Sequence, residues 1–201
     1  MTTRLQDFVA RTNLPNKVTL ARIGLIFIFL IICNLDEFIG DPGRRQQFRA
    51  LGLGFAILAG LTDLLDGWLA RRYHVESDFG KLMDPLADKI FMTTAFIMLV
   101  GKGLLPGWVA VAVLSREFLV TGLRLLATNK GEVIPADGTG KLKTFLQMMF
   151  LIFGGILWVG WVPLSEVRLE WMVAYWIIVT ITVYSGFNYF IRFRHLYWAS
   201  T

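Results

Sequence analysis

Asp63, Asp66, Asp84 and Asp88 lie in the stretch DLLDGWLARRYHVESDFGKLMDPLADK, in pairs three and four positions apart. On a helix those spacings separate the paired side chains by about 60° and about 40°, so each pair projects from one face. The surrounding residues are strongly apolar. An aspartate at the centre of a lipid-embedded helix costs about 2.5–3.5 kcal/mol on insertion scales, and four close together also repel one another. Divalent cations supply the compensation. Hard carboxylate oxygens at this density suit Mg2+ or Mn2+ rather than zinc. A two-metal site with ions about 3.5–4 Å apart clamps phosphate oxygens, activates an attacking hydroxyl and holds a leaving phosphate. Gly67 and Ala70 continue the face of the first pair and leave room for a flat ligand. Arg71 can grip a phosphate by two parallel hydrogen bonds, and Gly80 lets the next helix start close by.

Such a site needs helices to carry it. Of the 201 residues, 55% are hydrophobic and 17% charged, with a mean hydropathy of +0.57. A soluble domain has roughly 45–50% and about 25%. This excess excludes disorder, collagen-like repeats and a nucleic-acid-binding tail, so no nucleic-acid partner is expected. The single cysteine, Cys33, excludes a disulfide framework and any cysteine-based zinc site. A spanning helix needs about 20 mostly apolar residues. Six runs qualify, at 18–35, 48–69, 82–100, 104–127, 142–161 and 169–190. The expected fold is therefore all-α, a polytopic membrane protein with six transmembrane helices in one domain spanning 1–201. The second, third and fourth runs carry internal charges that lower their hydropathy. Asp41-Pro42-Gly43, the segment 101–107, the polar segment 129–140 and Pro163-Leu164-Ser165 punctuate the runs.

The N-terminal segment, the second and fourth connections and the C-terminus hold most of the 20 Lys and Arg residues. That bias places both termini and the aspartates on the cytoplasmic side. The first connection runs against it, with Arg44, Arg45 and Arg49 beside Asp36, Glu37 and Asp41. Residues 4–12 read either as a short amphipathic helix lying on the membrane or as plain topology signal. The net charge of +5 suits anionic lipid. No small-residue cleavage site follows the first run, so a signal peptide is not expected.

Asp63, Asp66, Gly67, Ala70, Arg71, Gly80, Asp84 and Asp88 together match the pattern D-x2-D-G-x2-A-R-x8-G-x3-D-x3-D, every gap intact. In this the chain resembles the CDP-alcohol phosphotransferase family. The segments NLPNKVTLARI, GKLMDPLADK, REFLVTGLR and GKLKTFLQ are similar to those of family members that act on sn-glycerol 3-phosphate. The resemblance runs through five of the six runs and adds little past residue 160. It implies six transmembrane helices, a homodimer and a bacterial cytoplasmic (inner) membrane. The implied reaction joins CDP-diacylglycerol to sn-glycerol 3-phosphate, giving phosphatidylglycerophosphate and CMP. On the same resemblance Asp63, Asp66, Asp84 and Asp88 hold the metals, and Asp88 takes the proton of the attacking hydroxyl. Gly67, Arg71 and Ser77 contact the CDP portion, and Asn16 and Thr19 line its cytidine side.

An acceptor that carries its own phosphate calls for fixed positive charge. Arg116 lies inside an apolar run, where an unpaired arginine is costly. With Arg124, Lys141 and Lys143 it can ring an anion; the plainer alternative pairs Arg116 with Glu117 or a nearby aspartate. A structural reading of the acids, pairing an aspartate with Arg22 or Arg116, is hard to extend to four at paired spacing. Cys33 reads as a small buried hydrophobe, Gly154-Gly155 as a close-packing site, and Trp108, Trp158, Trp161, Trp171 and Trp198 as an interfacial belt. Two rival functions remain. A sibling enzyme would use inositol phosphate, serine or phosphatidylglycerol as acceptor. A divalent-cation transporter would also place acids in a membrane, but no internal repeat is visible.

Overall fold

The computed structural model describes residues 14–73, 78–132 and 138–198, and among them every regular element is helical. Helix α1 is Leu14–Leu35, followed by a 3₁₀ turn at Asp36–Phe38; α2 is Pro42–Tyr73, α3 Asp78–Gly101, α4 Gly107–Asn129, α5 Gly138–Val159, α6 Arg168–Arg192 and α7 the short His195–Trp198. Each of the six apolar runs falls within its own long helix, save for two or three residues at the connections. The stretch 4–12, where an amphipathic helix was expected, lies outside the described residues.

Two boundaries differ from expectation for local reasons. Asp41-Pro42-Gly43 closes the first gap, as expected, and also opens α2. The Asp41 carboxylate caps the helix by accepting the Arg44 amide at 2.7 Å, and Pro42 fills the first helical position, where no amide is needed. The first connection is correspondingly tight, and Arg45 closes it by donating through Nε and Nη2 to the Ile39 carbonyl at 2.9 and 2.6 Å. Helix α4 starts at Gly107 rather than 104, because the amides of Leu104 and Leu105 turn back to the Leu99 carbonyl at 2.9 and 3.2 Å. Gly103 makes that reversal at φ +68°, in the left-handed region that favours glycine.

The chain forms two compact units, residues 1–98 and 99–201. In the first, α1 and α2 pack as an antiparallel pair. Arg49 Nε donates to the fully buried Asp36 carboxylate at 2.6 Å and pins the register near the turn. Two antiparallel helices rising equally from that point place Ile32 level with Leu53, Phe29 with Ala56 and Ile26 with Ala59. All six are buried. At two of these levels the larger residues of α1, Phe29 and Ile26, stand opposite alanines of α2, which leaves room for a close approach.

In the second unit, α4 and α6 run parallel. Trp171 Nε1 donates to the Leu104 carbonyl at 2.6 Å, Arg124 Nε to the Tyr189 hydroxyl at 3.0 Å and Lys130 Nζ to the Leu196 carbonyl at 2.6 Å. These partners stand a near-constant 65 to 67 positions apart, which only a parallel pair allows. Helix α5 crosses back between their levels. Its Lys143 meets Glu117, whereas Phe150, two turns on, stacks on Trp171 at 4.3 Å between ring centroids. Gly154 is the close-packing site foreseen, since a Cβ there would stand 2.7 Å from Leu99 Cδ1.

The outward surface is far more apolar than that of a soluble protein. Thr19, Arg22, Asp36, Lys143, Gln147 and Thr182 are buried, while Phe27, Ile31, Leu58, Phe118, Leu119, Trp176 and Phe187 face outward and are each at least half exposed. Polar groups turned inward and large apolar ones turned outward suit a hydrocarbon solvent. Two helices, Lys17–Phe38 with its turn and Arg168–Arg192, are long and apolar enough to cross a membrane by composition alone. This is a membrane protein.

Candidate active site

Asp63 and Asp66 lie in the last third of α2, and Asp84 and Asp88 in the first half of α3. Counted from the joint between the helices, Asp63 is ten positions before Tyr73 and Asp88 ten after Asp78, while Asp66 and Asp84 are seven before and six after. At 1.5 Å per residue the outer pair is about 15 Å from the joint, and the inner pair about 10 Å. Four residues connect the helices, so their ends are no further apart than about 18 Å. The side chains of Asp63, Asp66, Gly67, Arg71, Asp84, Lys141 and Asn16 lie outside the described set, as does Ser77 altogether.

On α3, Ala87, Phe91, Ala95 and Leu99 form the buried stripe, and Asp88 adjoins it. Asp88 is nevertheless exposed. Its carboxylate is therefore accessible, as a group that accepts a proton must be. Thr19 is buried in α1, at 1% exposure. Among the described residues no three His, Cys, Asp or Glu side chains gather into a metal site. The donor chemistry of the four aspartate positions, all hard oxygen, fits Mg2+ or Mn2+.

The basic residues of the second unit are brought together in part. Arg116 Nη2 donates to the Ser185 hydroxyl at 2.8 Å, and its Nη1 approaches Glu117 Oε1 at 3.4 Å. Lys143 Nζ also donates to Glu117 Oε1. One carboxylate thus serves two cations, and Arg124 adds a third positive charge on the same helix, resting over the Tyr189 ring. Arg116 Nε is buried with no hydrogen-bond partner. Its stem fits because residue 186 is glycine; a Cβ there would stand 2.8 Å from Arg116 Cγ. The Arg116–Glu117 contact foreseen as the plainer alternative is present, and Lys143 shares the same carboxylate.

Sequence reasoning missed the polar lining of α6. Thr182 accepts from Gln147 at 3.3 Å, Ser185 from Arg116, and Tyr189 from Arg124. Their spacing of three and four was a legible signal, a polar stripe on one face of an apolar run, but it lies past the point where the family resemblance adds anything.

A family model described as CDP-alcohol phosphatidyltransferase matches residues 12–189. The chain belongs to this family. Among CDP-alcohol phosphatidyltransferases it is 42% identical to a CDP-diacylglycerol–glycerol-3-phosphate 3-phosphatidyltransferase of Bacillus subtilis, the match covering 89% of this chain and 93% of that one. It is 36% identical to the protein of that name from Rickettsia bellii, again over 89% and 93%. A probable phosphatidylglycerophosphate synthase of Mycobacterium tuberculosis is 38% identical over 90% of this chain and 81% of its own. The family match spans both compact units and all six long helices nearly to their ends.

Proposed function

We infer that the protein transfers the phosphatidyl group of CDP-diacylglycerol to sn-glycerol 3-phosphate, yielding phosphatidylglycerophosphate and CMP, as a single membrane domain. The observation that carries this is the unbroken eight-position motif set on two consecutive helices, its aspartate pairs equidistant from the joint. Relatives named for this reaction, similar over about nine-tenths of the chain, favour the acceptor over serine, inositol phosphate or phosphatidylglycerol.

Asp63, Asp66, Asp84 and Asp88 would hold two Mg2+ or Mn2+ ions. When bound, these would neutralise the diphosphate and stabilise the departing CMP. Gly67 offers a side-chain-free surface to the nucleotide, Arg71 pairs with its phosphates, and Ser77, Asn16 and Thr19 contact the CDP portion. Asp88 accepts the proton of the acceptor hydroxyl as its oxygen bonds to the lipid-bearing phosphorus and the bond to CMP breaks. Arg116, Arg124, Lys141 and Lys143 bind the acceptor's own phosphate. Arg116 and Lys143 share the Glu117 carboxylate, and Arg116 Nε keeps a donor for that phosphate.

The proposed six-span topology is supported by register for every long helix but α3. Helix α6 is long and apolar enough to span, and α4 and α5 lie level with it along their lengths. Helix α2 is likewise level with α1. Charges lower the hydropathy of α2, α4 and α5, but a helix packed level with a spanning helix shares its slab. We place the protein in the bacterial cytoplasmic membrane as a homodimer, with both termini and the active site on the cytoplasmic face.

The test is CMP release by the purified protein in detergent, with CDP-diacylglycerol and a panel of acceptors. Release should require both sn-glycerol 3-phosphate and a divalent cation. Consumption of serine, inositol phosphate or phosphatidylglycerol instead would overturn the acceptor assignment. Cation flux through vesicles without CMP release would favour a transporter.

A further inference from the structure

Two cations of the second unit converge on a single oxygen. Arg116 Nη1 and Lys143 Nζ both donate to Glu117 Oε1, although they come from different helices, α4 and α5. The three side chains are unequally enclosed: Lys143 is 4% exposed, Arg116 12% and Glu117 24%. The cations are the fixed part of the group, and the carboxylate is the part with room to leave. Arg116 is also held independently of Glu117. Its Nη2 donates to the Ser185 hydroxyl at 2.8 Å, whereas its contact with the carboxylate is 3.4 Å long. A charge-assisted bond at full strength spans about 2.7–2.9 Å, so the hold on Glu117 from this side is slack. Arg116 Nε is buried and has no partner at all.

We propose that Glu117 is a resident counter-ion standing in for the acceptor's phosphate. Its Oε1 marks the place of a phosphate oxygen; the carboxylate is displaced when the phosphate arrives and returns when the product leaves. Cations enclosed away from water need a counter-charge at all times, and an acceptor supplies one only while bound. The exchange deepens the acceptor-phosphate assignment made above and rests on it. Only hydrogen bonds are remade; no proton moves. Because phosphatidylglycerophosphate keeps the acceptor's phosphate, the competition that weakens acceptor binding also helps the product to leave. Glu117 acts through Arg116 and Lys143 and touches no reacting atom in this role.

Glu117→Gln keeps the shape and removes the charge. In assays of CMP release by the purified protein, the Km for sn-glycerol 3-phosphate should fall about fivefold. The kcat should not exceed that of wild type, and the Km for CDP-diacylglycerol should stay where it is. A merely structural Glu117 predicts the reverse, a raised or unchanged Km for sn-glycerol 3-phosphate, and either result would overturn the proposal. A second measurement needs no turnover. Thermal unfolding is followed in detergent with EDTA, so that inorganic phosphate cannot act through divalent ions, and sodium chloride of matched ionic strength is the reference. Phosphate should raise the Tm of Glu117→Gln by about 2–4 °C more than that of wild type. With Arg116→Ala added to both proteins, that excess should vanish. Equal rises in wild type and Glu117→Gln would overturn the exchange, as would an excess that survives the loss of Arg116. If Glu117→Gln unfolds in sodium chloride, recovery in phosphate supports the exchange and unfolding in both overturns it. Consumption of another acceptor by wild type would overturn the acceptor named above, while the phosphate excess would still decide whether Glu117 gives way to a phosphate.

Discussion

At the scale of single residues, Asp88 combines two properties that separate it from an ordinary helix carboxylate. It adjoins the buried stripe of α3, and it is exposed. Asp88→Asn keeps the volume but cannot accept a proton. Turnover should fall on the order of 10³-fold, with the helical circular dichroism spectrum unchanged; near-normal turnover would remove Asp88 as the base. Arg116 makes the complementary case. Replacing it with alanine removes one charged donor from the acceptor's phosphate, so the Km for sn-glycerol 3-phosphate should rise about tenfold. That for CDP-diacylglycerol should move little, and equal changes would make Arg116 purely structural. The sequence showed the aspartates plainly, because charge inside an apolar run is conspicuous. It did not show Ser185, Tyr189 or Thr182 as partners. Each is compatible with an apolar helix, and their role appears only when α6 lies against α4 and α5.

At the scale of elements, the six helices were legible because each needed only a long apolar run, while their ends were set by chemistry that hydropathy ignores. Asp41 and Pro42 carried a readable capping signal that was taken for a loop, since Arg44, Arg45, Gln46 and Gln47 follow without apolar periodicity. The antiparallel register of α1 and α2 was not readable at all, because the Asp36–Arg49 bridge is a tertiary contact. Its strength can be measured. Asp36 is fully buried, so Arg49→Met leaves a carboxylate enclosed without its guanidinium and should destabilise the protein by about 3 kcal/mol in denaturant unfolding. An exposed ion pair would cost under about 1 kcal/mol. The α4–α6 contact offers a second test. Gly186→Ala places a methyl group against the middle of the Arg116 side chain, not its flexible end. Overpacking there should cost about 1–3 kcal/mol. It should also displace Arg116, so the Km for sn-glycerol 3-phosphate rises as in Arg116→Ala. Loss of stability without that kinetic change would mean that Arg116 is not held by this contact.

At the scale of the whole molecule, composition singles out only α1 and α6 as long and apolar enough to span, whereas the proposed topology has six spans. The two possibilities predict different topologies. If only α1 and α6 cross, everything from Gly40 to Pro163 lies on one side of the membrane. If all six long helices cross, Lys102 and Glu132 lie on opposite sides. The structure ties Glu132 to the C-terminus, since its carboxylate is 3.0 Å from His195 Nε2 and the nearby Lys130 donates to the Leu196 carbonyl. The fourth connection and the C-terminus must therefore share a side, a condition that the two-span arrangement violates. Single-cysteine variants decide the matter. Cys33 is buried and can be replaced by serine, after which Lys102→Cys and Glu132→Cys each carry the only thiol. In intact bacterial cells, a membrane-impermeant maleimide should label residue 102 and spare residue 132 until the membrane is opened. Labelling of both positions from outside would place the whole central segment beyond the membrane. The aspartate motif would then be cut off from the cytoplasmic supply of sn-glycerol 3-phosphate that the proposed reaction consumes.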